Sequence, residues 1–69
     1  MRLTDRQREV LGLFVGKEAL SHKEIANRLQ IDIKTVGYHL GAIQRKAGIY
    51  GQHTVKLVRW AIENGYTTL

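Results

Sequence analysis

The 69 residues of this chain form one small domain, over residues 1–69, near the lower size limit for a single hydrophobic core without disulfides or bound metals. Cysteine is absent and no apolar run approaches the roughly 18 residues of a membrane span, so we exclude disulfide scaffolds, thiolate metal sites and membrane proteins, and expect a soluble cytoplasmic chain. Eleven Lys and Arg against six Asp and Glu give a formal net charge of +5, which either keeps the domain soluble or fits an anionic partner, most commonly nucleic acid.

The first predicted helix begins at a capping box. Thr4 is followed three residues later by Gln7, so the Thr hydroxyl can accept from the Gln amide while the Gln side chain accepts from the Thr amide. Apolar residues then continue to Gly16, whose freedom at positive φ suits a helix C-cap. We predict this helix at about residues 5–15.

A second capping box, formed by Ser21 and Glu24, predicts a helix at about residues 21–29. Residues 30–32 follow as a short turn, and a longer helix begins after them. A short helix, a three-residue turn and a longer helix together make a helix-turn-helix unit. The turn has no glycine, although such turns often contain one, so the prediction depends on spacing and capping.

The longest predicted helix, at about residues 32–47, has two unlike faces, with Asp32 as its N-cap and Gly48 as its C-cap. At about 100° per residue its apolar stripe consists of Val36, Leu40, Ile43 and Ala47. The opposite face contains Lys34, Gly37, Tyr38, Gly41 and Arg45. A cationic, partly aromatic face without acids is typical of a helix that contacts an anionic partner.

The last predicted helix, at about residues 54–64, follows a loop at about 49–53. Its apolar stripe is predicted to consist of Val55, Val58, Ala61 and Ile62. Leu57 and Trp60 then lie on the outer side and are the candidate dimer interface, unless Trp60 folds back over the core. We predict a frayed tail at residues 65–69 and no strand, so the fold class is all-α with four helices.

Five segments of the chain, which span Leu3 to Gly65, match one family in order. They are LTDRQREVL, HKEIANRL, IDIKTVGYHL, IQRKAGI and LVRWAIENG. Together they resemble the LuxR/GerE-type DNA-binding domain, which is also the output domain of NarL/FixJ-type response regulators. The resemblance implies a bacterial transcription regulator whose third helix enters the major groove of promoter DNA and whose fourth helix commonly contributes a dimer contact. It also implies either a stand-alone protein of the GerE type or an excised effector domain.

The candidate DNA-contacting residues are Lys23, Lys34, Thr35, Gly37, Tyr38, His39, Gly41, Arg45 and Lys46. Lys34, Thr35 and Tyr38 offer donors in the half of the helix that approaches the bases. Arg45 and Lys46 are expected to meet phosphates. Gly37 and Gly41 remove side-chain hydrogen bonds and allow a closer backbone approach, or else are structural glycines.

Two of these candidate DNA contacts, Lys23 and His39, each have an alternative interpretation. Lys23 resembles a family position that braces the DNA backbone, and the alternative is a solvated surface lysine. His39 lies at the edge of the apolar stripe, where it either packs beside the core or contacts phosphate. The family often has polar residues where Gly37 and Gly41 stand, and the loop at about residues 49–53 is about two residues longer than usual.

Other function classes fit the sequence less well. Most acids lie at helix starts or on polar faces, and no serine or histidine lies in a nucleophile motif, so we predict no enzyme. The histidines at positions 22, 39 and 53 lack the spacing of metal ligands, so we predict no metal or other cofactor. Two alternatives remain: a sigma-factor region-4-like domain that also docks on RNA polymerase, which the fourth helix disfavours, and a basic adaptor that binds an acidic protein.

Overall fold

The computed structural model describes residues 2–51 and 54–67, and over these residues it has four α-helices and no strand. The helices are α1 (Asp5–Val15), α2 (His22–Leu29), α3 (Ile33–Ala47) and α4 (Thr54–Glu63). The all-α prediction is confirmed, and every predicted boundary lies within one residue of the observed one. None of these helices combines the length and the apolar composition needed to cross a bilayer.

Both predicted capping boxes are present. The amide of Gln7 donates to Thr4 Oγ1 at 3.1 Å, and the amide of Thr4 donates to Gln7 Oε1 at 3.0 Å. The amides of Glu24 and Ser21 make the equivalent bonds at 3.2 and 2.9 Å. The hydrogen bond from the Ser21 backbone holds the pKa of Glu24 below its ordinary value, because it favours the carboxylate. These local bonds satisfy free amides at the starts of α1 and α2.

The predicted role of Gly16 at the end of α1 is wrong in one respect. Its backbone is extended, with φ −77° and ψ −167°, and not left-handed. Glycine is needed there for space, since a Cβ would collide with the carbonyl oxygen of Gly12. Left-handed backbone occurs instead at Ala19 and at Gln30, where φ is 49° and 55°. The turns before α2 and α3 therefore use non-glycine residues at positive φ.

The core lies along one side of α3, against α1, α2 and α4. Val36, Leu40 and Ile43 of the predicted stripe are buried, and Ala47 is half-buried at its end. The buried apolar residues from the rest of the chain are Leu3, Val10, Leu11, Val15, Ile25, Ala26, Leu57 and Ala61. Because α3 supplies the centre of the core, its opposite side is held toward solvent.

The predicted orientation of α4 is right for Ala61 and wrong for Val55 and Leu57. Leu57 is 3% exposed and belongs to the core with Ala61, whereas Val55 is 77% exposed. Leu57 is therefore not on the outer side of α4. Exposed Val55 and half-buried Val58 and Ile62 form what we call the apolar strip, and Val58 also packs against the core.

Trp60 folds back over the core, as the alternative for that residue proposed. Its ring stacks on Tyr66, with ring centroids 5.4 Å apart and planes 24° from parallel. The amide of Tyr66 donates to the carbonyl of Ala61 at 2.8 Å. The prediction of a frayed tail is thus wrong for Gly65 and Tyr66, whose amides donate to the carbonyls of Ile62 and Ala61, while residues 68 and 69 lie outside the described part. The stacked pair packs against the core.

Candidate nucleic-acid interface

The turn between α2 and α3 is fixed by hydrogen bonds at both ends. The left-handed Gln30 ends α2, and the amide of Ile31 donates to the carbonyl of Ala26 at 3.0 Å. At the other end the carboxylate of Asp32 accepts from the amide of Lys34 at 2.8 Å. Ile31 also packs against the core. These contacts hold α3 in one orientation relative to α2, which is what a helix-turn-helix requires.

The solvent side of α3 carries cations and a tyrosine. Its outward face, as we use the term, consists of Lys34, Tyr38, Gly41 and Arg45. Tyr38 is 69% exposed, and Thr35 is half-buried beside this face. Within the described residues the side chains of Lys34, Tyr38 and Arg45 form no hydrogen bond or ion pair, and α3 contains no acid. The face therefore presents uncompensated positive charge.

The ion pairs of the described residues lie elsewhere, on the α1 and α2 side of the domain. They are Arg6–Glu9, Arg8–Asp5 and Arg28–Glu18. The tightest joins Arg28 Nη2 to Glu18 Oε2 at 2.9 Å, and this hydrogen bond lowers the pKa of Glu18 and raises that of Arg28. Part of the positive charge of the chain is thus compensated on α1 and α2, while the charge on α3 is not.

The two glycines of α3 are not required by internal packing. A Cβ on Gly37 would meet nothing within 4 Å, and one on Gly41 would meet only Arg45 Nη1, at 3.6 Å. Neither has positive φ. Gly37 lies at the flank of α3 and not directly opposite the stripe. Both glycines border a cleft of about 310 Å³ that is lined by Phe14, His22, Gly37, Leu40, Gly41, Gln44, Thr54 and Leu57.

Lys46 does not lie on the outward face with Arg45, although both were predicted to meet phosphates. The side chain is half-buried, and its ammonium donates to Gln7 Oε1 at 2.8 Å and to the carbonyl of Arg2 at 3.1 Å. The long flexible stem carries the charge around α3 to the start of α1. We therefore remove Lys46 from the set of candidate phosphate contacts.

His39 and Lys23 occupy different surroundings. His39 is half-buried, its ring lies edge-on to that of Tyr38 at 6.1 Å, and its Nδ1 is buried without a partner among the described residues. This placement favours the alternative in which the His39 ring packs beside the core. Lys23 is exposed as the second residue of α2, at a helix N-terminus where phosphate binding is favourable.

Sequence reasoning missed exposed apolar and aromatic groups next to the ends of α3. Ile33 is 49% exposed at its start, and Tyr50 is 75% exposed just after Gly48. Gln44 Nε2 donates to the carbonyl of Gly51 at 2.6 Å and ties this loop to α3. The unusual length of the loop was the available signal for Tyr50. Among residues 2–51 and 54–67 no group of three metal-ligating side chains occurs, and the histidine at position 53 lies outside them.

Comparisons with known proteins agree with this geometry. Residues 1–61 match the family described as bacterial regulatory proteins, luxR family. The chain is 40% identical over 63 residues to the transcriptional regulatory protein MctR of Rhizobium johnstonii, which covers 91% of this chain and 28% of the relative. No solved structure matches the chain. The chain belongs to the luxR family of bacterial regulatory proteins, a family of DNA-binding transcription regulators.

Proposed function

We propose that this domain binds promoter DNA by inserting α3 into the major groove. The observation that carries the proposal is the outward face of α3, where exposed Lys34, Tyr38 and Arg45 stand without an acid on a helix fixed by a helix-turn-helix. A cationic helix face of this kind meets phosphates and base edges together. Duplex DNA in the bacterial cytoplasm is then the partner, and the domain acts as the output domain of a regulator.

Each side chain has a proposed role set by its place on α3. Lys34, Thr35 and Tyr38 lie in the first two turns and offer hydrogen bonds to base edges. Arg45 lies near the other end of the helix and contacts a DNA phosphate. Exposed Lys23, at the start of α2, contacts the DNA backbone. Gly37 and Gly41 allow the backbone of α3 to approach the bases, at the expense of side-chain readout.

We propose that the active form is a dimer joined through the apolar strip of α4. Val55, Val58 and Ile62 form a continuous apolar surface, and Arg59 and Glu63 lie beside it. In a two-fold arrangement of antiparallel helices centred on the strip, Val55 of one copy lies opposite Ile62 of the other and the two Val58 side chains lie close together, so the strip is self-complementary. Burying Val55 removes the most exposed aliphatic side chain among the described residues.

The central test is a titration of the domain with mixed-sequence duplex at several salt concentrations. The wild type should bind at low salt and weaken steeply as salt rises, and Arg45→Ala should make the log–log slope shallower by roughly 0.9. Arg28→Ala removes the same charge from a site already paired with Glu18, so it serves as the matched control and should change the slope little. If the wild-type domain does not bind duplex DNA at low salt, DNA binding is refuted and the alternative of a basic adaptor for an acidic protein is favoured.

A further inference from the structure

Lys46 in the last turn of α3 is joined to the capping box that opens α1. Gln7 Oε1 accepts from Lys46 Nζ at 2.8 Å and also from the amide of Thr4 at 3.0 Å. Gln7 is 8% exposed and is the buried polar residue of the described chain. One buried oxygen therefore receives a bond from the cap of α1 and another from the end of α3.

The chemistry of this contact explains why it constrains geometry. A side-chain amide oxygen has two acceptor sites, and here both are used. The second acceptor of Lys46 is the carbonyl of Arg2 at 3.1 Å, so the ammonium is held between two neutral oxygens. Its charge also suits the negative end of α3. Removing the ammonium would leave a buried oxygen with half of its bonds.

We infer that Lys46 is a positioning residue for DNA binding, acting through Gln7 and not through phosphate. The start of α3 is held by Asp32 and the turn before it, and the core stripe fixes its middle. Lys46 supplies the polar contact that holds the other end, and so sets the angle at which the outward face is presented. The inference rests on the proposed function, because it concerns how α3 is held for DNA.

A double-mutant cycle tests this role by measuring duplex affinity and salt slope for Lys46→Met, Gln7→Leu and the double variant. Methionine keeps much of the stem of Lys46 but lacks the ammonium. Each single variant should bind about 3- to 10-fold more weakly. The double variant should bind no more weakly than Gln7→Leu alone, because Gln7→Leu already breaks the contact to Lys46 in addition to the cap of the Thr4 amide. If the loss of affinity in the double variant equals the product of the two single losses, and Lys46→Met makes the salt slope shallower by roughly 0.9, then Lys46 contacts phosphate. That result would overturn the inference.

A conservative variant keeps the test decisive if a cycle variant fails to fold. Gln7→Glu retains the acceptor for both Thr4 and Lys46 and places the preferred residue at this position of the capping box. If Lys46 only positions α3, Gln7→Glu should keep affinity within about 3-fold and leave the slope nearly unchanged. If Lys46 contacts phosphate, the carboxylate of Glu at position 7 competes with the phosphate for the Lys46 ammonium. The salt slope of Gln7→Glu should then become shallower and approach that of Lys46→Met.

The outcomes separate this inference from the proposed function. If the wild type binds duplex and Arg45→Ala lowers the slope, DNA binding by α3 stands whatever Lys46 does. Additive losses at Lys46 and Gln7 in that setting overturn the positioning role alone. A wild type that does not bind duplex at low salt overturns both.

Discussion

Replacing both α3 glycines by alanine should make the domain more stable and a weaker DNA binder. Glycine in a helix interior costs about 0.8–1 kcal/mol relative to alanine. The added methyl at Gly37 meets nothing within 4 Å, and that at Gly41 meets only Arg45 Nη1 at an ordinary contact distance of 3.6 Å. With no clash to offset the gain, we expect about 1–2 kcal/mol of added stability, or a rise in Tm of roughly 5–15 °C for a domain of this size.

The expected loss of DNA binding follows from the same two methyl groups. They stand where α3 is proposed to approach the bases closely, so they would hold the backbone away from the groove. The loss of one base contact costs about 1–3 kcal/mol, which corresponds to about 5- to 150-fold weaker binding. Urea denaturation followed by circular dichroism measures stability, and fluorescence anisotropy with a duplex selected from a random pool measures affinity.

Gly12 provides a matched control on α1. A Cβ at this position also meets nothing within 4 Å, and the residue lies in a helix interior away from α3. Gly12→Ala should therefore add about 0.5–1 kcal/mol of stability without changing DNA affinity. Unchanged affinity in the Gly37→Ala/Gly41→Ala variant would refute the close-approach argument, and lost stability would refute the argument from open space.

Three further predictions address the bases, the dimer and the caps. Tyr38→Ala should cost about 1–3 kcal/mol on the selected duplex and less on mixed sequence; equal loss on both, measured by anisotropy, would exclude base readout. Val55→Glu should stay folded but lose cooperative DNA binding, whereas Leu57→Glu should unfold because it buries a charge; ultracentrifugation and circular dichroism distinguish them. Because the pKa of Glu24 is lowered on folding, its contribution to stability is present above the ordinary glutamate pKa and is lost as pH falls through the folded value. Glu24→Gln keeps the capping box and should flatten this acid limb in urea titrations; an unchanged limb would contradict the role assigned to the Glu24 carboxylate.

The helices were predictable because their start signals are local. A hydroxyl residue followed three positions later by Gln or Glu, as at Thr4 and Ser21, makes its hydrogen bonds within one turn, so no distant contact is needed to form it. Gln30 shows the limit of such signals. The turn before α3 needs a left-handed residue, and the fixed ends of α2 and α3 hold a glutamine in that conformation.

The orientation of α4 was not predictable for a related reason. Apolar residues occur around much of this ten-residue helix, so a wheel permits more than one inward stripe. In the folded domain Leu57 and Ala61 face the core, and Trp60 packs over the core against Tyr66, a residue outside the helix. The apolar pattern of a single helix cannot predict tertiary packing of this kind.

At the candidate site, helical spacing predicted which backbone positions face outward but not where long side chains end. Arg45 and Lys46 are adjacent on α3, yet only Arg45 presents its charge outward. The destination of the Lys46 ammonium depends on Gln7, which lies 39 residues earlier in the chain. The capping role of Gln7 was evident from the sequence, whereas its free acceptor site toward α3 was not.

Open space beside a glycine does not by itself mark a functional residue, and Gly12 demonstrates this within the same chain. Its surroundings are as open as those of Gly37, but it lies on α1, whose arginines pair with acids. Gly41 instead lies on the outward face of a helix without acids, among exposed and uncompensated cations, and Gly37 lies at the flank of the same helix. Both glycines lower the helix propensity of α3, and internal packing does not require either of them. An external partner that needs the backbone of α3 to come close best explains why they occur on the helix with the least compensated charge.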